Sequence, residues 1–200
     1  MADPRVKLVA LLGVGVALAL GVSIPREESG RRVEATVDQA GALQVRHISG
    51  RQYLRVYLDL AGVTTACDGI TSWRGRPLPR NHTFNEAQCG EMLAEQLLAH
   101  AEDVMACTPG LALSPVPAAE LRREGPRFAA VSLTYNIGGR RWCSSTARRR
   151  FNAGDFPGGC TAITWWNKVG RTVVPGLVNR RTREELVCRE GLATFRRAYP

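Results

Sequence analysis

An apolar run near the N-terminus constrains this chain more than any other feature of its sequence. Residues 8–24 contain no charged side chain, and Arg5 and Lys7 precede them. Basic residues ahead of an apolar run favour an N-terminus in the cytoplasm and export of the chain beyond the run. The run is short for a membrane span, and seven of its 17 residues are Ala, Gly or Ser, so it is only moderately hydrophobic. We therefore predict an N-terminal membrane segment over residues 1–25 and an exported domain over residues 26–200.

Two fates of this segment are compatible with its sequence. Ala17-Leu18-Ala19 has the small-x-small pattern of a signal peptidase site, which would make the segment a cleaved signal peptide. Alternatively, the segment is an uncleaved anchor that is weak enough to leave the bilayer later. Because the small-x-small pattern lies inside the apolar run, where cleavage is poorly placed, we favour the anchor and leave its release open.

Six cysteines lie in the exported part of the chain, at positions 67, 89, 107, 143, 160 and 188. An even number of cysteines in an exported domain indicates up to three disulfides. Spacing alone leaves the pairing open, and we expect Cys107–Cys143, Cys160–Cys188 and Cys67–Cys89. Because no CxxC pair is present and the three histidines are scattered, we expect neither a metal site nor another cofactor.

The formal net charge of +9 is concentrated at the C-terminal end, where residues 140–200 carry 13 Arg or Lys against four Asp or Glu. A basic surface attracts polyanions such as nucleic acid, anionic lipid or an acidic cell wall. A solvated basic face without a partner is the alternative. No recognisable nucleic-acid module accompanies the charge, so we do not expect nucleic acid as a partner.

The local patterns change from strand-like to helical along the chain. Residues 33–48 have the pattern of a β-hairpin around the turn residues Asp38-Gln-Ala-Gly41. Thr83-Phe-Asn-Glu86 has the spacing of a capping box and predicts a helix to about Ala106. We expect strands at 53–57 and 63–66, a loop at 72–82, and further helices at 126–138, 145–152, 158–168 and 177–190. This order predicts an α+β fold, with a small β-rich N-terminal lobe, a mainly helical C-terminal lobe and a cleft between them.

Several sequence blocks resemble the phage lysozymes, of the glycoside hydrolase family 24 type. Tyr57-Leu-Asp59-Leu-Ala-Gly62-Val-Thr-Thr65-Ala-Cys67-Asp-Gly69-Ile-Thr71 is similar to the family signature Y-x-D-x-x-G-x-x-T-x-x-x-G-x-T. Later blocks follow in the family's order: Ser132-Leu-Thr-Tyr135-Asn136-Ile-Gly138, Ser144-Ser-Thr146, Phe151-Asn-Ala-Gly154-Asp155 and Gly176-Leu-Val-Asn179-Arg180-Arg181-x-x-Glu184. The likeness covers residues 50–191. The weak anchor and the Thr65-Ala-Cys67 sequence resemble the subgroup of signal-arrest-release endolysins.

The resemblance implies a lysozyme-like fold and a muramidase that cuts the bond between N-acetylmuramic acid and N-acetylglucosamine in peptidoglycan. The family uses a Glu to protonate the leaving oxygen, and an Asp and a Thr to hold water or to stabilise positive charge on the sugar. Asp59 and Thr65 match the family's Asp and Thr. Tyr135, Asn136 and Arg180 match blocks that line its cleft, so we expect them to bind substrate. We expect no cofactor and a monomer.

The catalytic glutamate is missing from its usual place shortly before the Asp, because Ser49-Gly50-Arg51-Gln52 contains no acid. One explanation is that the hairpin at 33–48 is an insertion and that the acid lies ahead of it, at Glu28 rather than Glu27. A hairpin returns to its starting point, so Glu28 could still face Asp59. The other explanation is a lost acid, which would make the protein a silent wall-binding relative. A lytic transglycosylase is a further alternative, although Asp59 and Thr65 favour hydrolysis.

A location in the cell follows from the same resemblance. We expect the N-terminal segment in the inner membrane of a bacterial host, with the N-terminus in the cytoplasm and the catalytic domain in the periplasm. If Glu28 is catalytic, membrane insertion of the segment pins the acid at the bilayer surface, since Glu28 lies four residues past Ile24. Release would then let the N-terminus refold onto the domain.

Overall fold

The computed structural model describes residues 3–59 and 61–200, which form mostly helices. The helices are α1 (Pro4–Leu12), α2 (Val14–Ser29), α3 (Glu86–Cys107), α4 (Pro117–Ile137), α5 (Gly139–Ser144), α6 (Thr146–Asn152), α7 (Phe156–Ile163), α8 (Pro175–Glu190) and α9 (Phe195–Ala198). The strands pair as antiparallel hairpins: β1 (Arg32–Val37) with β2 (Leu43–Ser49), β3 (Tyr57–Leu58) with β4 (Thr64–Thr65), β5 (Ser72–Trp73) with β6 (Arg76–Pro77), and β7 (Lys168–Val169) with β8 (Thr172–Val173). Three of these four pairs precede α3, so the predicted α+β architecture is confirmed.

The apolar run folds as two helices, α1 and α2, which meet at an angle of 118°. Gly13 lies at the bend with a φ of +83°, a conformation that glycine adopts without steric cost. Leu8, Leu12 and Leu20 are fully buried. The two helices pack against α3, α4 and the β1–β2 hairpin. In the folded chain the run is therefore part of the hydrophobic core.

Neither half of this segment has the dimensions of a membrane span by itself. No single helix in the described residues is long and apolar enough to cross a membrane, and α1 with α2 passes only as a bent pair. Residues 1 and 2 of the predicted segment lie outside the described residues. The membrane role of residues 1–25 and the boundary at residue 25 stay predictions.

The predicted hairpin at 33–48 is present as β1 and β2. Asp38 stabilises its turn, because its Oδ1 accepts hydrogen bonds from the backbone N–H groups of Ala40 and Ala42 at 2.9 and 3.0 Å. The hairpin leaves and rejoins the chain at one place, since a Cβ added to Gly50 would lie 2.9 Å from the Cα of Arg31. A hairpin with ends this close can be inserted into a chain without moving the residues on either side, here Arg31 and Gly50.

The start of α3 differs from the sequence prediction in its cap. The capping box is formed by Asn85 and Gln88, not by Thr83 and Glu86. Glu86 instead accepts a hydrogen bond from the backbone N–H of His47 on β2, and this tertiary contact removes it from the cap.

The prediction for α4 was wrong at its start, because the helix begins at Pro117 rather than near Pro126. Pro117 stands at the first helical position, where a missing N–H costs nothing, and Pro126 is buried inside the helix. Three further predictions were wrong in extent. The strand expected at 53–57 is reduced to β3, Tyr57–Leu58, and an isolated bridge at Arg55. The expected loop at 72–82 contains the β5–β6 hairpin, and the helix expected at 158–168 ends at Ile163 before β7 and β8.

Three disulfides join the cysteines in the expected pairs. Cys67 bonds to Cys89, Cys107 to Cys143 and Cys160 to Cys188, with Cα–Cα distances of 5.6, 5.6 and 5.7 Å. The first links the segment after β4 to α3, the second links α3 to α5, and the third links α7 to α8. The β-rich part and α5 are thus each linked covalently to α3, and α7 is linked to α8.

Candidate active site

Glu28 occupies the last turn of α2, which ends at Gly30 in the left-handed conformation with a φ of +72°. Its side chain is 22% exposed, and its Oε1 accepts a 2.7 Å hydrogen bond from Nη1 of Arg180 on α8. On its other side, a Cβ added to Gly69 would lie 3.6 Å from its Oε2. Glu28 therefore stands where α2, α8 and the segment after Thr65 meet, with part of its carboxylate open to solvent.

Arg180 is buried beneath Glu28 and makes further contacts with the helical part. Its Nε donates to Oε1 of Glu184 at 3.2 Å, and its Nη2 donates to the carbonyl oxygen of Ser132 at 3.3 Å. The hydroxyl of Ser132 in turn donates to Glu184 at 2.6 Å. Burial lowers the pKa of Arg180, but Glu184 and Glu28 outweigh this effect and raise it above its ordinary value. The Arg180 guanidinium is thus a fixed cation that contacts both Glu28 and Glu184. Its expected contact with substrate stays a prediction.

Glu27, the other candidate acid, is turned away from this position. Its side chain is 7% exposed, and both of its oxygens accept 2.8 Å hydrogen bonds from the guanidinium of Arg183. A bidentate arginine pair fixes a carboxylate and occupies both of its oxygens. The geometry therefore separates the two acids: Glu27 is held in a structural ion pair, and Glu28 keeps an open face.

Asp59 forms the turn between β3 and β4. Its Oδ1 accepts hydrogen bonds from the backbone N–H groups of Ala61 and Val63, both at 2.9 Å, and its carbonyl accepts from Gly62 at 2.9 Å. These bonds leave its second carboxylate oxygen without a backbone partner in the described residues. Leu60, which follows Asp59 in the chain, lies outside the described residues. Asp59 thus combines the role of a turn residue with a half-exposed carboxylate.

Thr65 lies on β4, directly opposite Tyr57 on β3. It is 3% exposed, and its hydroxyl donates to the carbonyl of Val63 at 3.1 Å. The short hairpin brings Thr65 and Asp59 to the same strand pair. The chain then continues from Thr65 to Gly69, which lies beside the carboxylate of Glu28, so one short segment leads from Asp59 and Thr65 to the neighbourhood of Glu28.

Tyr135 and Asn136, the other predicted substrate-binding residues, lie at the C-terminal end of α4. The Tyr135 hydroxyl donates to the carbonyl of Asp68 at 3.2 Å, and its ring meets that of His100 edge-on at 5.3 Å. Burial raises the pKa of Tyr135 well above its ordinary value, and the charges of Glu28 and Asp68 raise it further. Asn136 is exposed and accepts a 3.2 Å hydrogen bond from Arg181. Tyr135 therefore borders the Glu28 region, and substrate binding by both residues stays a prediction.

A buried ion pair next to Glu28 was not foreseen from the sequence. Asp68 is fully buried, and its two oxygens accept hydrogen bonds of 2.8 and 2.7 Å from the guanidinium of Arg31. The hydroxyl of Ser29 also donates to Asp68, at 2.9 Å. Asp68 thus binds both residues that flank Gly30 and ties the end of α2 to the segment after Thr65. Its place in the motif was visible, but a partner 37 residues earlier was not.

The described residues contain no group of three or more His, Cys, Asp or Glu side chains that could hold a metal ion. They do contain a partly open carboxylate on a buried arginine, a second carboxylate on a β-turn and a threonine beside it. This arrangement, between a small β-rich part and a helical part, is the one expected of a lysozyme-like glycosidase. The identity within that class comes from comparison with known proteins.

The family model described as phage lysozyme matches residues 50–184. The SAR-endolysin of Bacteriophage PS119 is 31% identical over 141 residues, which are 70% of this chain and 76% of that protein. The SAR-endolysin of Enterobacteria phage P21 is 31% identical over 132 residues, which are 66% of this chain and 72% of that protein. A solved structure, the endolysin from the Escherichia coli O157:H7 phage FAHEc1, superposes with a TM-score of 0.58 at 25% identity, covering 84% of this chain and 90% of that one.

This chain belongs to the phage lysozyme family, whose members hydrolyse bacterial peptidoglycan. The predicted family is therefore confirmed. The match to the family model begins at residue 50, directly after the β1–β2 hairpin, so residues 1–49, including Glu28, lie outside it.

Proposed function

We propose that this chain is an endolysin of the muramidase type, which hydrolyses the β-1,4 bond between N-acetylmuramic acid and N-acetylglucosamine to lyse a bacterial host cell. The observation that carries the proposal is the position of Glu28. Its partly open carboxylate is held by Arg180 and lies beside Gly69, where an added Cβ would be 3.6 Å from Oε2 of Glu28. Gly69 belongs to the block that contains Asp59 and Thr65. The hairpin that separates Glu28 from this block in sequence closes on itself in space.

The proposed mechanism needs two carboxyl groups in unlike surroundings, one to donate a proton and one that stays ionised. Glu28 is the proposed general acid, which protonates the glycosidic oxygen as the bond breaks. Asp59, which is half-exposed and anchored by backbone N–H groups, would position the attacking water or stabilise positive charge on the sugar ring. The Thr65 hydroxyl would support the same water from the opposite strand.

Two alternatives lose support from this arrangement. A catalytically silent wall-binder was suggested by the missing acid at the usual spacing, and it loses support because Glu28 is a candidate acid outside that spacing. A lytic transglycosylase needs the general acid but no residue to hold water, and the presence of Asp59 and Thr65 in one hairpin favours hydrolysis.

We further propose that the protein begins as an inner-membrane protein with its N-terminus in the cytoplasm and its domain in the periplasm, and that release from the bilayer activates it. Glu28 and the second part of the apolar run, residues 14–24, belong to one continuous helix, α2. Inserting that helix into a bilayer would withdraw Glu28 from Arg180 and Gly69. The folded arrangement with α1 and α2 in the core would then be the released, active state.

The test is the loss of turbidity of purified Gram-negative sacculi on addition of the folded full-length chain. We expect Glu28→Gln and Asp59→Asn each to slow lysis by about 10²–10⁴-fold, as expected for loss of a general acid or its partner. Glu27→Gln is the matched control, because it removes the same charge one residue away and should keep most of the activity. No lysis by the folded parent would establish the silent wall-binder instead.

The products distinguish hydrolysis from transglycosylation. A muramidase adds water and leaves reducing N-acetylmuramic acid ends, whereas a transglycosylase leaves intramolecular anhydro ends that are lighter by one water. Mass spectrometry of the released fragments therefore tests the reaction type independently of its rate.

A further inference from the structure

Two arginines and two tyrosines alternate along the extended segment that leads to Asp59. Backbone bonds of 2.9 Å hold the segment extended against residues 82–84, from Val56 N–H to the carbonyl of His82 and from Phe84 N–H to the carbonyl of Leu54. Side chains two residues apart on an extended chain point to the same face. Leu54 and Val56 pack against the hydrophobic core. The residues on the opposite, outer face are Arg51, Tyr53, Arg55 and Tyr57.

These side chains line an open groove of about 480 Å³. The ring centroids of Tyr53 and Tyr57 are 5.5 Å apart, and the guanidinium carbon of Arg51 lies 4.8 Å from the centroid of Tyr53. A guanidinium that stacks through its face keeps its N–H edge free to donate hydrogen bonds. Tyr53 therefore orients Arg51 without using its donors.

The positive charge in this groove is not neutralised within the protein. Arg51 and Arg55 are exposed, and neither forms an ion pair with a carboxylate in residues 3–59 and 61–200. Arg180 and Arg181 differ in this respect, because both are buried and both contact Glu184. The groove thus presents two guanidinium groups that an external anion could reach.

The groove ends next to Asp59 and Thr65 of the proposed active site. It ends at Tyr57, which lies two residues before Asp59 and opposite Thr65 in the β3–β4 pair. Burial raises the pKa of Tyr57, and the nearby Tyr53 and Asp59 raise it further. A polymer bound beside Asp59 could therefore extend along the groove.

We propose that this groove is a substrate subsite in which Arg51 and Arg55 bind the free carboxylates of the peptide stems on the glycan strand being cut. The inference deepens the proposed function and rests on it. Peptide stems supply carboxylates at regular intervals along the strand, and the sugar backbone between them supplies none that are free. A guanidinium pairs with a carboxylate through two parallel hydrogen bonds, which fixes orientation as well as position. The groove would hold the stems while the sugars lie beside Asp59.

The test measures binding, so that it does not depend on turnover. Every protein carries Glu28→Gln, and co-sedimentation with sacculi gives the dissociation constant for the Glu28→Gln protein and for its Arg51→Gln/Arg55→Gln derivative. We expect the derivative to bind about fivefold more weakly, since exposed ion pairs are individually modest. The matched control is Arg76→Gln/Arg80→Gln, which removes two exposed arginines from the same part of the chain, outside the groove. Equal weakening by the control would overturn the subsite and leave only a general effect of charge.

Sacculi whose stem carboxylates have been amidated provide the second arm. The Glu28→Gln protein should lose affinity for amidated sacculi, and the Arg51→Gln/Arg55→Gln derivative should lose little more. If amidation weakens both proteins to the same degree, the arginines do not bind the carboxylates and the proposal is wrong.

Kinetics on the active background separates this proposal from the proposed function. With Glu28 intact, Arg51→Gln/Arg55→Gln should raise KM for sacculi by about fivefold and leave kcat unchanged, because the groove lies outside the reacting bond. A parent without lytic activity that still binds intact sacculi through these arginines would refute the enzyme and keep the subsite. If the parent is active and the variant has an unchanged KM, the proposed enzyme stands and the subsite is refuted.

Discussion

Arg180 and Glu28 form a 2.7 Å hydrogen bond between residues 152 positions apart in the chain. The bond joins the end of α2, in the N-terminal part of the chain, to α8, in the C-terminal part. Because Arg180 is itself held by Glu184 and by the carbonyl of Ser132, Glu28 contacts a group that cannot move freely. The position of the proposed acid therefore depends on the folded state of both ends of the chain.

Replacing Arg180 by Met should lower kcat by about 100-fold, since even a small misplacement of a reacting group costs about that much. Arg183→Met is the control, because it breaks the equivalent ion pair to Glu27 one helical turn away. That variant should lose stability and keep kcat. Lysis rates measured well below the unfolding temperature of each protein give the comparison, and equal kcat values for the two variants would show that Arg180 has only a structural role.

Asp68 and Arg31 should be coupled in stability. Both are buried, so Asp68→Asn or Arg31→Met leaves an unpaired group in the core and should lower the free energy of unfolding by about 3–5 kcal/mol. The double variant should lose less than the sum of the two single losses, because it removes both charges. Urea denaturation of the four proteins measures the coupling, and strict additivity would contradict it.

Gly21 should affect both the membrane state and the folded state. A Cβ at this position would lie 3.2 Å from the Cβ of Ala35 on β1, so Gly21→Leu should overpack the contact with the hairpin and destabilise the folded protein by about 1–3 kcal/mol. It should also make the anchor more hydrophobic and delay release.

Ala10→Leu is the matched control for Gly21→Leu. Ala10 is exposed in the folded protein, so the added side chain should strengthen the anchor without disturbing the core. Both variants should delay lysis in cells and keep more protein in the membrane fraction, and only Gly21→Leu should lower Tm. Parental lysis timing for Ala10→Leu, or for the triple change of Gly13, Gly15 and Gly21 to Leu, would argue against release as the activating step.

His100 should make the protein less stable in acid. Burial lowers its pKa below the ordinary 6.5, and Asp103, 3.9 Å away, opposes this only in part. The unfolded chain therefore binds this proton at higher pH than the folded chain does. The free energy of unfolding should decrease as the pH falls below 6.5, until the native pKa is reached.

The check is Tm against pH for the parent and for His100→Gln. The variant should show a shallower loss of Tm between about pH 7 and pH 5, since it has no group at this position to protonate. Because His100 packs against Tyr135, its protonation should also disturb the end of α4. Parallel curves for the two proteins would contradict the assignment.

Much of the local structure was predictable because neighbouring residues determine it. The β1–β2 hairpin follows from alternation around a turn in which Asp38 bonds to its own loop, and α3 was located although its cap was misassigned. The block from Tyr57 to Thr71 placed Asp59 and Thr65 on one short hairpin, because their separation is only a turn. The closeness of Arg31 and Gly50 could also be inferred, since the ends of a hairpin must return to the same place.

Tertiary structure decided which of the two acids keeps a partly open carboxylate. Glu27 and Glu28 are adjacent in sequence and chemically alike, and only Arg183 and Arg180 on α8 distinguish them. The pair of Asp68 with Arg31 has the same origin, since a buried charge needs a partner that can come from anywhere in the chain. The residues next to a buried charge in sequence do not indicate which distant residue will be its partner.

The N-terminal apolar run shows most directly what sequence alone leaves undecided. Its composition predicts burial away from water, and a lipid bilayer and a protein core meet that demand equally well. In the folded chain the glycine at position 13 bends the run and helices α3 and α4 cover it. The sequence by itself determined that this segment must leave water; the packing of the rest of the chain decided its surroundings in the folded protein.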